Sequence, residues 1–563
     1  MRASTTVKGL TVRVIAGTYS AIVAMDLQEN KRKGCLGFTI RREDLDPPGP
    51  GEAARPGKRA LPNMLRFPGD TDETHDTTED SPLQKFRWGD YTLRPGRRYR
   101  YTVVPKFGKP GKLEVRDDVP GASVEVTTED NQVEETAVFF NRAAAASEAF
   151  NRRFPKLKTL EGDSDEAKEA RAWLSHGLEE AILAYLAKAK EGDALHAAIY
   201  EFQKDTLLAG LRAAVDRGVD VKVVYHAREK GDTAEKNRKA IEKAGLGEVV
   251  IPRTKSPQAI MHDKFVVWLR KDGNADPKPV AVWTGSTNWT DGGLYGQLNV
   301  GHAVYEPGVA ATYEALFQLL AKDREAPEMK HALASLTPVS ETLPGTHKVM
   351  PVFSPQGDDT MLRLYAAIAG GAKMLMVSAP FEISPLIRKA ITRKSPGVLR
   401  FLLLDKMSSL GKSEEVTVIQ GDPANSIAVA TTLKSPLHDF QKKLLGDKES
   451  FHHAGIHIHS KIIMADPFGS DPIIVTGSAN FSNNSTEVND SNTLVLRGYT
   501  AVADIYATEF MRMFEHYHFR AKRAASEEKE RPLGLAADDS WSDKYYVAGS
   551  TAEQDRRMFA GTM

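Results

Sequence analysis

The chain has 563 residues, with Lys plus Arg and Asp plus Glu at 75 each, so its formal net charge is zero. At about 150 residues per domain this length predicts three or four units, and the balanced charge excludes the global basic field of a general nucleic-acid binder while leaving room for a local basic groove. A single cysteine, Cys35, excludes an intramolecular disulfide; with no basic-then-apolar leader and no apolar run of spanning length, a cytoplasmic protein without a transmembrane segment is expected.

In chain order, short apolar alternations at 10–15 and 35–40 predict strands. The composition from 46 to 78 shifts to Pro, Gly and charge, which predicts an exposed loop. Strands resume at 86–88, 99–104 and 122–126, so residues 1–140 are expected to form a small all-β, sandwich-like domain. A polar helical connector follows over 141–169. The pattern then becomes α/β, with a helix over 174–187, a strand at 195–200, a helix at 207–215 and a buried-type strand at 219–225. Strands around His262, at 280–283 and at 300–304 complete a first lobe, residues 170–334. After a linker at 335–345 the same order returns over 346–520: helix 361–368, strand 374–377, helix 385–391, strand 399–404, the His459 strand, and strands 473–476 and 493–496. This is an internal duplication at domain scale. Residues 521–563 are expected to lie over the body as a tail.

The duplication carries chemistry. Met261-His262-Asp263-Lys264 runs into an apolar strand, and a second strand ends in Gly285-Ser286-Thr287-Asn288; later, His457-Ile458-His459-Ser460-Lys461 leads to Gly477-Ser478-Ala479-Asn480. Residues two apart on a strand share one face, so the imidazole and ammonium of each copy project together. A nucleophile, cations, amide donors and an acid are what a phosphate diester needs.

His-x-Lys-x4-Asp followed by Gly-Ser-x-Asn resembles the phospholipase D superfamily. The second copy fits in full with His459, Lys461, Asp466, Gly477, Ser478 and Asn480, whereas the first has Leu269 at the Asp position, a departure shared with tyrosyl-DNA phosphodiesterase. The resemblance implies an α/β fold of two pseudo-symmetric lobes with mixed sheets, both motifs meeting at one site, and no metal or other cofactor. It implies a phosphohistidine, on His262 in the family's usual order with His459 as acid and then base, while nucleophile and acid look alike in sequence and the reverse order stays open. Lys264, Lys461, Asn288, Asn480 and Asp466 complete the expected catalytic set, and Ser286 and Ser478 are expected at the substrate. Many members orient each histidine with a Glu shortly after Gly-Ser-x-Asn. Here the stretches read Gly296-Gln297-Leu298-Asn299 and Asn489-Asp490-Ser491-Asn492, so that Glu is missing and Gln297, Asp490 or another group must serve.

Two other groupings invite plainer readings. His452, His453, His457 and His459 have the spacing of a zinc site but no accompanying carboxylate or Cys. Glu201 and Glu382 follow equivalent strands, where a cleft position and a salt-bridged surface position are equally open. The expected function is a phosphodiester hydrolase of the phospholipase D type acting on phospholipid headgroups. A metal-independent nuclease is the second reading and a degenerate binding protein the third; the N-terminal β domain is a candidate for partner or surface binding.

Overall fold

The computed structural model describes residues 1–48, 57–72, 74–228, 231–255, 260–392, 397–430, 457–528 and 533–563. It is a mixed α/β structure with an all-β N-terminal region. In that region Arg2–Val7, Leu10–Ala16, Ala21–Leu27 and Arg87–Asp90 form one sheet. A second sheet is built on the pairing of Gly37–Asp44 and Ala122–Thr127 with the long strand Arg98–Lys109. Alternate residues of both sheets, among them Val12, Val14, Ile40, Tyr101 and Val124, meet in one apolar core, as period-two patterning requires.

The two lobes share one strand order. In the first, Val300–Val304, Lys278–Gly285, Lys264–Arg270, Ala194–Ile199, Asp220–His226 and Val250–Arg253 lie side by side. In the second the order is Ser491–Arg497, Ile473–Gly477, Ile462–Ala465, Met374–Ala379, Leu399–Leu404 and Asn425–Val429. Three strands at one end of each sheet run parallel, and the motif strand joins them antiparallel. Of the parallel strands, Ala194–Ile199, Met374–Ala379 and Leu399–Leu404 are buried on both faces, which explains continuous apolar runs such as Leu399–Leu404.

Each sheet is extended by antiparallel strands, Lys348–Ser354 in the second lobe and Thr136–Phe140, followed by Gln132–Val133 at the edge, in the first. The expected end of the N-terminal domain at 140 is thereby corrected: Gln132–Val133 and Thr136–Phe140 belong to the first lobe's sheet, because Phe140 pairs with Val300. The single helix expected over 174–187 is likewise two helices, Asp165–Ser175 and Leu178–Ala187. The chain turns between them through left-handed His176 and Gly177, where the His176 ring lies 4.0 Å from that of Tyr19.

A continuous apolar layer joins the lobes, with Phe265, Tyr313 and Phe317 on one side and Phe353, Met376 and Met464 on the other, beside Tyr506 and Phe510 of the helix Thr500–Glu528. The tail packs back across the molecule. Trp541 donates to the Cys35 carbonyl at 2.8 Å and Tyr546 to that of Leu27 at 2.6 Å, while the Phe559 ring lies against Phe401 and Phe468. No helix among the described residues is long and apolar enough to cross a membrane.

Candidate active site

The duplicated strand order brings the motifs together. Lys264 opens its strand opposite Ile199, and the residues just before each motif strand pair across the lobe boundary. The His262 amide donates to the Asp490 carbonyl at 2.7 Å and the Asp490 amide to that of Ile260 at 3.1 Å; in the other half, Leu298 donates to His457 at 2.8 Å and His459 to Leu298 at 3.0 Å. Each histidine is thus bonded through its own backbone to the opposite lobe. The two rings stand 6.3 Å apart between centroids, at 71°.

Gly285 and Gly477 allow the next approach. Their φ values are +147° and +152°, and a Cβ there would fall 2.2 Å from the Val300 carbonyl oxygen and 2.3 Å from that of Asn492. No other residue fits. The tight crossing lets the Ser286 and Ser478 amides donate to those carbonyls at 3.0 and 2.8 Å.

Both lysines are buried and donate to the carbonyl of the histidine two residues earlier, Lys264 to His262 at 2.7 Å and Lys461 to His459 at 2.6 Å. Burial, against the pull of Glu201 and Asp263, lowers Lys264 to about 7. Burial and then the Lys264 charge push Lys461 well below its ordinary value. His262 is also held well below the usual histidine range, by burial first and then by Lys264, Lys461 and His459. It is therefore a neutral imidazole at neutral pH.

The ring partners answer what the missing Glu left open. His459 Nδ1 lies 3.0 Å from both the Ser286 carbonyl and Asn299 Oδ1, so it carries the proton and donates, leaving Nε2 for chemistry. Asn299 is held in turn by the Ser286 hydroxyl at 2.7 Å. Asn492, the counterpart in the second lobe, accepts from the Ser478 hydroxyl at 3.0 Å and from the Lys264 amide at 3.5 Å. The Ser478 backbone acts on the His262 ring, whose Nδ1 has no hydrogen-bond partner among the described residues.

Gln297 and Asp490 do not orient the rings. Among the described residues the Gln297 side chain makes no hydrogen bond to either ring, His459 Nδ1 being taken by Ser286 and Asn299, and the Asp490 carboxylate is bonded by Arg253. Sequence reasoning passed over Asn299 and Asn492 because the family's group at this place is acidic. The available signal was that both copies put an Asn at the start of the strand crossing Gly-Ser.

Three expected roles change. Asp466 lies at the far end of its strand, at φ +48°, where it accepts the amides of Lys373 and Met374 at 2.9 and 2.8 Å. At about 3.3 Å per residue, five residues separate it from Lys461, out of reach of a shared phosphate. Leu269 is its counterpart at the end of the first motif strand, paired with Ala194, so the first copy lacks that turn anchor while His262 and Lys264 stay together at the other end of the strand. Ser286 and Ser478 are buried and occupied with Asn299 and Asn492, which makes them supports of the orienting amides.

Asn288 donates through Nδ2 to Glu201, and the Oδ1 atoms of Asn288 and Asn480 have no hydrogen-bond partner among the described residues. Of the two glutamates, Glu201 enters the site, whereas Glu382 is exposed and pairs with Arg388 at 3.2 Å. Asp405 supports the second motif by accepting the His457 and Ile458 amides at 2.7 and 3.1 Å. His452 and His453 lie outside the described residues.

A family model described as cardiolipin synthase, PLD-like domain, matches residues 182–321, the stretch that carries His262, Lys264 and Asn288. Over that stretch the chain is similar to the phospholipase D-like domains. Among curated proteins none matches it. Solved structures similar to this chain include phosphatidylserine synthase from Haemophilus influenzae Rd KW20, 10% identical with a TM-score of 0.42, covering 66% of this chain and 91% of that one. Polyphosphate kinase from Porphyromonas gingivalis is 10% identical with a TM-score of 0.37 over 58% of this chain and 46% of its own, so this chain spans less than half of that protein. Nuc from Salmonella typhimurium, described as a phospholipase D family member, is 25% identical with a TM-score of 0.21 over 26% of this chain and 86% of its own.

Proposed function

We propose that the protein is a phosphodiesterase that cleaves phospholipid headgroups through a covalent phosphohistidine. The observation that carries this reading is the pair of rings 6.3 Å apart, one held neutral and the other turned by Ser286 and Asn299 so that its Nε2 faces the chemistry. Neutral His262 attacks phosphorus through Nε2, and the leaving alcohol oxygen takes a proton from His459. Water then attacks the phosphohistidine, His459 accepts its proton, and the P–N bond breaks to free His262. Lys264, Lys461, Asn288 and Asn480 hold the non-bridging oxygens, each such donor worth about a few kcal/mol where charge develops. Phospholipid is preferred as substrate on two grounds: the matching family model is that of a cardiolipin synthase domain, and the balanced charge of the chain gives no general attraction to nucleic acid.

Two measurements test this. Incubated in excess EDTA with phosphatidylcholine vesicles and, separately, with single- and double-stranded DNA, the protein is expected to release choline and leave the DNA intact. Cut DNA with intact lipid reassigns the substrate, and no turnover of any diester removes the enzyme reading.

The second is the pH dependence of kcat/KM, which reports groups of the free enzyme. His262 is lowered well below its ordinary value, so it stays unprotonated, and the rate holds, at pH values below the usual histidine range. Lys264, lowered to about 7, loses its charge as pH rises through about 7, so kcat/KM falls there on the alkaline side. An alkaline limb appearing only near the ordinary lysine range, about 10.4, contradicts this site.

A further inference from the structure

The site is symmetric in its histidines, lysines and asparagines and asymmetric in one charge. Ile199 pairs with Lys264, and the next lobe repeats the register, Ser378 opposite Ile462, so Glu201 and Phe381 occupy equivalent places two residues past their strands. Glu201 is fixed there by backbone. Its carbonyl accepts the Trp289 amide at 3.1 Å, and the amides of Gln203 and Lys204 donate to the Trp289 carbonyl at 3.0 and 2.7 Å. The half-buried carboxylate accepts from Asn288, one of the proposed oxygen ligands, and no other donor among the described residues reaches it. Its field acts on Lys264 and Lys461 together.

A negative charge beside two phosphate-binding lysines opposes the anion the lysines attract. We propose that Glu201 is a charge-selecting residue that lowers the site's affinity for a phosphomonoester dianion more than for a phosphodiester monoanion. This rests on the anion-binding part of the function proposed above. The carboxylate repels both anions, but a monoester, the product class of the reaction, meets it with twice the charge and twice the repulsion of a diester. Discrimination of this kind weakens the hold on product about twice as much as the hold on substrate.

The test is a ratio of dissociation constants, measured by calorimetry at about pH 8, for ethyl phosphate, a dianion there because its second pKa is about 6, and diethyl phosphate, a monoanion. Glu201→Gln keeps an acceptor for Asn288 and removes only the charge. The empty site is the common reference for both ligands, so altered protonation of Lys264 there cancels in the ratio. The dianion-to-monoanion ratio of dissociation constants is expected to fall by about tenfold in Glu201→Gln. Phe381→Glu, which adds the second carboxylate, is expected to raise it, and decides alone if Glu201→Gln does not fold.

A purely structural Glu201 moves both constants together; a ratio unchanged in both variants therefore overturns the inference, as does failure of the wild-type protein to bind either anion. If the ratio moves as expected while no diester is turned over, the phosphohistidine chemistry fails and the charge selection stands.

Discussion

Replacing His459 with asparagine is expected to give a protein that accepts a phosphoryl group once and does not release it. With bis-p-nitrophenyl phosphate the leaving group departs without a proton donor, so His262 still attacks. The phosphohistidine then lacks the base that activates water, and steady turnover falls by about 10²- to 10⁴-fold. Rapid mixing should show a burst of p-nitrophenol approaching one equivalent, with the adduct on His262 visible by mass spectrometry under alkaline quench. His262→Asn should show no burst and a loss at least as large. A burst in His262→Asn and none in His459→Asn reverses the two roles. Both variants keep the backbone bonds that cross the lobe boundary, so a fall in activity without a fall in melting temperature reports chemistry.

The largest effect on stability is expected at Arg253. Its side chain is 2% exposed and lies 3.1 Å from Asp490, whose side chain is 3% exposed, and 3.0 Å from Asp323. Close by, Asp263 is buried with no partner for either oxygen among the described residues, and burial followed by the Asp490 charge pushes its carboxyl well above the usual range. Arg253 is thus the counter-charge of a buried acidic pair, and Arg253→Ala is expected to cost about 3–5 kcal/mol, against about 0–1 for an exposed pair such as Lys239 with Glu235. Denaturant unfolding followed through the lobe's tryptophans should show the drop in midpoint. Adding Asp490→Asn should restore part of it, since the loss comes from the stranded carboxylate. An Arg253→Ala midpoint equal to wild type would mean that water or protonation already neutralises Asp490.

Both motifs were legible because each is local: a strand presents His and Lys on one face, and a glycine ends the next strand beside Asn. Apolar runs such as 399–404 were legible for the same reason, and that strand has the bounds its pattern predicts. What the sequence hid was made by contact between distant segments. Asn299 became a ring partner of His459 only through the meeting of two lobes. Thr136–Phe140 looked like one more strand of the β domain, and its pairing with Val300–Val304 depends on a sheet assembled far downstream. Asp466 was expected at the chemistry because the motif's letters are contiguous, while a strand carries them apart in space. Glu201 had an exposed and a buried reading, and only the loop carrying Asn288 and Trp289 distinguishes it from Glu382.

The four backbone bonds that tie Ile260, His262 and Asp490 on one side and His457, Leu298 and His459 on the other bear on how a substrate arrives. A jaw that swings apart would have to unzip both seams and expose the apolar layer behind them. The gap between the two rings is therefore of fixed width, and the slowest amides to exchange with heavy water should be those of the two histidines themselves.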